Sequence, residues 1–282
     1  MTFPVFILVL TAALLHALWN FAARKASGNF AVMWLGLSVA SILCLPFALA
    51  MRPSMESIRS ALPFMLATGM IHALYFGALS KSYEKGEISL VYPIARGTGV
   101  AGTSLAAYLL LNENISWVGA LGISAISCGI VAVSLGRANS QEQFKSAILA
   151  LLIGCTIVGY SLVDKVAVGR IHPVSYIFSM FFLAALFLSP YVVLNHRAGC
   201  VDALRSMKGY ILLIGPGSMG TYLIILFAFQ FGNVSYIVAA REFSVVIGSA
   251  LGILVLGESL TWKKVLGISV ITLGLILVKV TG

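Results

Sequence analysis

The sequence contains two copies of one segment, separated by a constant distance along the chain. Residues 88–135 align without a gap on residues 233–280, so each residue of the first copy matches the residue 145 positions later (233 − 88 = 145). Arg96 falls on Arg241, and both copies are strongly apolar. A duplicated apolar segment predicts a membrane protein built from two related halves, an arrangement that lets a protein place one gate on each side of a shared site.

The composition indicates that the chain is surrounded by lipid. Of its 282 residues, 60% are hydrophobic and 10% are charged, whereas soluble globular proteins carry about 25% charged residues. A soluble domain of this size could not bury so much apolar surface. The net charge of +9 is explained by basic loops at an anionic cytoplasmic leaflet, so the lipid bilayer is an expected partner and nucleic acid is not.

Ten apolar runs of about 20 residues, each able to cross a hydrocarbon core of roughly 30 Å, predict ten transmembrane helices. Their predicted bounds are 3–22, 31–50, 60–80, 88–111, 116–135, 146–167, 174–194, 209–231, 234–256 and 261–280. The predicted fold is an all-α integral membrane protein with two inverted-topology five-helix repeats, because five crossings per repeat force the second repeat to enter upside down. We expect repeats at 1–135 and 146–282, joined by a cytoplasmic linker at 136–145.

Basic residues in the loops support this inversion. Lys81 and Lys85 precede the fourth span, while the matching loop of the second half has no basic residue. The loop after the fourth span likewise has none, while its counterpart carries Lys263 and Lys264. The positive-inside rule places the more basic face in the cytoplasm and both termini outside. We expect a multi-pass protein of the plasma (inner) membrane.

With this duplication and this number of spans, the chain resembles the drug/metabolite transporter superfamily, specifically its ten-helix EamA-type branch. The resemblance rests on the duplicated half and on residues 111–115 and 256–260, each of which precedes a Gly-rich helix. Family members typically show a Gly-Glu pair there: the second copy keeps Gly257 and Glu258, and the first has Asn112 and Glu113. The resemblance implies transport of small metabolites through a central cavity between the halves, without specifying a solute. Each of the two glutamates is expected to cap the helix that follows it.

Arg96 and Arg241 are the strongest site candidates. Each lies about eight positions inside its span, or roughly 12 Å along a helix. A charge at that depth is unfavourable and marks a functional site by default. A guanidinium offers a planar pair of donors that fits a carboxylate or phosphate. Three roles stay open: contact with a solute, an internal ion pair such as Arg241 with Asp164, and snorkelling to the membrane surface.

Two acidic residues, Asp164 and Glu242, lie away from the loops, where they could pair with an arginine or take up a coupling proton. If they face one cavity with both arginines and Lys165, the cavity carries one net positive charge, which favours an anionic or zwitterionic solute. The remaining candidate lining residues are polar or aromatic side chains within the spans, which could equally bond helix to helix. They are His16, Trp19, Asn20, His72, Tyr75, Tyr92, Tyr160 and Tyr222.

The predicted function is secondary active transport of a small polar metabolite by alternating access, with export of amino acids, amines or drugs as the alternative. No P-loop motif occurs, so a proton, an ion or an exchanged solute is expected to drive transport. An intramembrane enzyme would need a nucleophile–base pair or a metal cluster, and the sequence offers neither, so we expect no catalytic site, metal or cofactor. A receptor or scaffold would not need matched buried arginines. Monomer and homodimer both remain open.

Overall fold

The computed structural model describes residues 1–25, 29–84, 88–134, 141–256 and 260–281. Within these ranges the chain is helical and contains no strand. The helices are α1 (Phe3–Lys25), α2 (Phe30–Ala50), α3 (Met55–Glu84), α4 (Ile88–Leu110), α5 (Trp117–Ser134), α6 (Gln141–Ala167), α7 (Pro173–Asn195), α8 (Arg197–Ser206), α9 (Lys208–Phe231), α10 (Val234–Arg241), α11 (Phe243–Leu256) and α12 (Trp262–Thr281).

The all-α membrane fold predicted from the apolar runs is confirmed. Among the described residues, eight helical stretches are long and apolar enough to cross a membrane, and Trp117–Val133 is a shorter apolar helix. Each predicted span overlaps one or two helices of the described residues, and the number of ten crossings stays a prediction.

Two local features were not predicted. α8 lies where the sequence indicated a loop, because its ten residues are too few and too polar to register as an apolar run. The predicted span 234–256 is divided into α10 and α11 at Glu242.

The helices pack with an approximate twofold relation between the halves. The most extensive contact joins α5 to α12, the last helix of each half. α4 packs on α6, and its image α10–α11 packs on α1; α3 packs on α7, and its image α9 packs on α2. Exchanging the halves therefore leaves the set of neighbouring helices unchanged, as expected when two copies of one unit enclose a common axis.

Glycines permit the close approach of α5 and α12. A Cβ atom added to Gly122 would lie 2.9 Å from the carbonyl oxygen of Gly274, and one added to Gly267 would lie 2.8 Å from that of Gly129. These backbones touch because neither helix has a side chain at the crossing. This seam fixes the two halves to each other at one side of the bundle.

Candidate functional site

A buried cluster of three charges lies where α4 meets the break between α10 and α11. The exposed fractions of Arg96, Arg241 and Glu242 are 3%, 2% and 1%. Nη1 of Arg96 donates to Oε1 of Glu242 at 2.9 Å, and Nη2 of Arg241 donates to the same oxygen at 3.4 Å. One carboxylate therefore serves two guanidinium groups, and the cluster keeps one positive charge.

The residues that follow the two arginines differ in type and in backbone conformation. The N–H of Glu242 bonds to the carbonyl of Ala239 at 3.1 Å, a tighter turn than an α-helix makes, before α11 resumes at Phe243. In the first copy the matching position is Gly97, and α4 runs through it without interruption. Among the described residues, the two matched arginines thus share the carboxylate of Glu242.

His16 occupies the other side of Arg96. Its Nε2 atom accepts a hydrogen bond from Nη2 of Arg96, since a guanidinium can only donate. The edge of Trp19 meets the imidazole with ring centroids 5.1 Å apart. Asn20, a candidate lining residue, donates to the backbone carbonyl of His16 at 2.8 Å and does not line the small cavity beside Arg241. Arg96 is thereby held between Glu242 and His16.

A small cavity of about 40 Å³ lies between the two halves, next to Arg241. Its lining residues are His16, Trp19, His72, Tyr75, Phe76, Tyr160, Met180, Phe181, Ser218, Thr221, Tyr222 and Arg241. Within the described part of the chain, Arg241 is the only member of this lining with a permanent charge, and Arg96 is not a member. A single water takes up about 30 Å³, so the cavity is too small for an organic solute in this conformation.

Aromatic rings form one wall of this cavity. His72 stacks on Tyr160 with centroids 4.5 Å apart. Tyr222 meets Tyr160 edge-on at 5.7 Å, and Tyr75 meets it at the same distance. Four predicted lining residues from α3, α6 and α9 are therefore brought together. The side chain of Tyr92, also a candidate, lies outside the described residues.

Asp164 is fully buried behind this wall and does not line the cavity. Its Oδ1 atom accepts from the hydroxyl of Tyr176 at 2.6 Å, and its Oδ2 atom accepts from the hydroxyl of Tyr222 at 2.5 Å. Both carboxylate oxygens are thus engaged by tyrosines, and the carboxylate is paired with neither buried arginine. Sequence reasoning missed Tyr176, although a phenol within an apolar span needs a hydrogen-bond partner and could have indicated one.

The other cavity-lining residues that the sequence did not single out are Phe76, Met180, Phe181, Ser218 and Thr221. Apolar and small hydroxyl side chains are abundant in membrane helices, so nothing in the sequence distinguishes these from their neighbours. Among the described residues, no group of three His, Cys, Asp or Glu side chains could hold a metal ion.

A second, wider cavity of about 630 Å³ opens at one end of the bundle. It is lined by Leu111, Asn112, Glu113, Asn114, Lys165, Val166, Phe231, Gly232 and Asn233. Lys165 donates to the carbonyl oxygens of Phe229 and Gly232, the latter at 2.7 Å, and so caps the C-terminus of α9. Its charge therefore serves the helix end and lies outside the inner cavity.

The prediction that Glu113 caps the helix after it is wrong. The carboxylate instead accepts hydrogen bonds from the first residues of α10, in the other half of the protein. The helix that follows Glu113 is capped by Ser116, whose hydroxyl accepts from the N–H of Gly119 at 3.1 Å. Glu258, the matching residue of the second copy, lies outside the described residues.

Comparison with known proteins supplies a family match over both halves. The model of the EamA-like transporter family matches residues 3–135 and again 144–280. The multidrug resistance protein EbrB of Bacillus subtilis (strain 168) is 26% identical over 117 residues, which cover 41% of this chain and 96% of that protein. The nicotine metabolites export pump subunit NepA of Paenarthrobacter nicotinovorans is 25% identical over 88 residues, which cover 31% of this chain and 75% of that protein.

Solved structures match this chain, and one of them, a crystal structure, shares its fold over the whole length. It superposes with a TM-score of 0.73 at 15% sequence identity, and the match covers 98% of each chain. The two relatives above align with less than half of this chain, which is the length expected for one repeat.

Proposed function

The chain belongs to the EamA-like transporter family, and we propose that it moves a small carboxylate-bearing solute, anionic or zwitterionic, by alternating access. Membership makes it a multi-pass membrane transporter of small molecules and not an enzyme. The proposal adds the class of solute, the residue that binds it and the way the site changes sides.

The observation that carries the proposal is the charge that faces the inner cavity. Arg241 lines it, and the Nε–H group of Arg241 has no hydrogen-bond partner among the described residues. Among the described residues, the buried carboxylates are all engaged elsewhere: Glu242 with the two arginines, Asp164 with two tyrosines, and Glu113 with the start of α10. A solute carboxylate would supply the missing acceptor and balance the excess positive charge.

The same charge argues against a purely cationic solute. A cation held 4 Å from Arg241 would be repelled by about 4 kcal/mol at an effective dielectric constant of 20. A zwitterion avoids this cost, because its ammonium group can lie on the face of a cavity tyrosine or of Trp19 while its carboxylate meets the guanidinium. The relatives named above as a multidrug resistance protein and an export pump subunit support export as the direction of transport.

The size of the inner cavity supports alternating access. At about 40 Å³, it cannot hold a carboxylate-bearing solute, so the surrounding helices must separate before a solute enters and close again behind it. Two related halves around this cavity can open to either side in turn. The energy source in this proposal is a gradient of protons or ions, or exchange of one solute for another.

Counterflow in proteoliposomes tests the proposal. The panel contains an aromatic carboxylate, an aliphatic dicarboxylate, a zwitterionic amino acid and a quaternary ammonium cation. We expect saturable counterflow for carboxylate-bearing solutes only, and an approximately 10- to 100-fold loss of affinity in Arg241→Ala, since hydrogen bonds to a charged group contribute about 1.5–3 kcal/mol. Arg59→Ala is the matched control, because Arg59 is exposed. Saturable transport of the cation alone, unaffected by Arg241→Ala, would refute the solute class.

A further inference from the structure

We propose that Glu113, which we call the latch, holds the transporter closed on the membrane face opposite the basic loops. The helix α10 connects this latch to the solute site. The inference rests on the proposed function for the identity of the inner site. It adds the element that closes one side of the transporter and the residue that holds it closed.

The contacts of Glu113 bind the first half of the protein to the second. Its side chain is 9% exposed. Oε1 accepts from the N–H of Val234 at 2.6 Å, and Oε2 accepts from the N–H of Ser235 at 3.2 Å and from its hydroxyl at 2.6 Å. A carboxylate at this position satisfies N–H groups that the helix itself leaves without partners, and it lies at the positive end of the helix dipole.

Hydrogen bonds on both sides of Glu113 join the same two segments of the chain. The hydroxyl of Tyr236 accepts from the N–H of Ser116 at 3.0 Å, and the side chain of Asn233 donates to the carbonyl of Asn114 at 3.3 Å. The loop between α4 and α5 therefore lies bound to the start of α10. These contacts border the wide outer cavity, which Glu113, Asn114 and Asn233 help to line.

The opposite end of α10 carries Arg241, the residue that faces the inner cavity. All eight residues of α10 are buried, and at 1.5 Å per residue its first and last Cα atoms are about 10 Å apart. Two turns of helix behave as a short rigid rod. The break at Glu242 separates this rod from α11, which gives it a pivot at the level of the solute site.

These features couple the two ends of α10. A solute enlarges a cavity that holds about one water molecule, so it must displace Arg241 or the wall opposite it. A displacement of Arg241 tilts α10 about its pivot and draws Val234 and Ser235 away from Glu113. The loss of those three bonds opens the path between the inner and outer cavities. When the site empties, the carboxylate recaptures the helix end and the gate closes.

Accessibility of a buried residue of α10 to a membrane-impermeant thiol reagent tests the latch. The reporter is Val238→Cys, which is fully buried in the closed state, in a background whose four native cysteines are replaced by serine. We expect Glu113→Gln to raise the rate of labelling by about tenfold or more from the side that the loop charges place outside. The amide keeps the size of the carboxylate but has one acceptor oxygen fewer and no charge.

Three controls separate opening of the gate from general loosening of the fold. Glu56→Gln makes the same chemical change at an exposed position on the same face and should leave the labelling rate unchanged. Ile126→Cys, a fully buried reporter in α5, should stay unlabelled in Glu113→Gln. Glu113→Asp keeps the charge and should restore slow labelling of Val238→Cys at least in part.

The outcomes for the latch and for the solute class are distinct. Labelling of Val238→Cys within twofold of its rate with native Glu113 would overturn the latch, even if Arg241→Ala abolishes carboxylate counterflow. Faster labelling in Glu113→Gln together with cation-selective counterflow would uphold the latch and refute the proposed solute. Labelling of Ile126→Cys at the same increased rate would also overturn the latch, because the substitution would then loosen the whole bundle.

Discussion

Replacing Glu242 by Gln should destabilise the protein strongly, because it removes the one carboxylate that two buried guanidinium groups share. At an effective dielectric constant of about 20, the contacts at 2.9 and 3.4 Å correspond to about 6 and 5 kcal/mol of attraction. Part of that attraction offsets the cost of burying the charges. The net loss on breaking a buried ion pair is about 3–5 kcal/mol, which we take as the expected loss of stability.

A double substitution tests whether charge balance is the cause. The native cluster carries one net positive charge, Glu242→Gln raises it to two, and Arg96→Met added to Glu242→Gln returns it to one. The double variant should therefore recover at least about 2 kcal/mol of the lost stability. A simple loss of packing would instead make the second substitution additive, and the double variant would be the less stable of the two.

Thermal unfolding in detergent micelles measures the effect, with loss of the monodisperse gel-filtration peak as the readout. A loss of 3–5 kcal/mol should lower the midpoint by roughly 10 °C, taking a few degrees per kcal/mol for a chain of this size. The exposed Glu56→Gln variant should unfold at the native temperature. A Glu242→Gln midpoint within about 2 °C of native would refute the shared-carboxylate reasoning, as would a double variant that melts below the single one.

Two further substitutions test the surroundings of the site. Tyr222→Phe removes a hydroxyl that donates to Asp164 at 2.5 Å and should lower stability by about 1.5–3 kcal/mol. The same change at exposed Tyr191 should leave stability unchanged. Equal melting temperatures for the two variants would show that the bond to Asp164 contributes nothing. Gly267→Ala places a Cβ atom 2.8 Å from a backbone oxygen of α5 and should cost about 1–3 kcal/mol. In Gly209→Ala the added Cβ atom meets no atom within 4 Å, so this variant should be neutral or stabilised by up to about 1 kcal/mol. Similar losses of stability in the two variants would contradict the close packing of α5 against α12.

The fold was accessible from the sequence because its signals are long and redundant. Apolar runs of some 20 residues have few alternatives to membrane helices, and the gapless duplication fixes a two-repeat architecture. The helix α8 was missed because ten mixed residues carry no such signal. The break at Glu242 was missed because the apolar run continues on both sides of it, so hydropathy alone predicts a single helix there.

The site was only partly accessible, because pairing between distant side chains depends on helix rotation that hydropathy does not report. The position of charged residues well inside predicted spans correctly indicated four buried groups. They are Arg96, Arg241, Asp164 and Glu242. Their positions left open which of them would pair, and the expected example of Arg241 with Asp164 is replaced by Glu242 with both arginines. Asp164 instead meets two tyrosines, one of which lies on α7, a helix with no predicted site residue.

The duplication allowed the fold to be predicted, but it gave no indication that the two arginines differ. Identical residues at equivalent positions suggest equivalent roles, yet a role depends on neighbours, and position 97 is glycine where position 242 is glutamate. Glu242 places a carboxylate beside both guanidinium groups and lies at the point where one helix breaks while its image stays continuous; Arg241 lines the cavity and Arg96 does not. An internal repeat therefore predicts where functional residues lie more securely than what each of them does, and the residues that differ between the copies are the ones to test first for specificity.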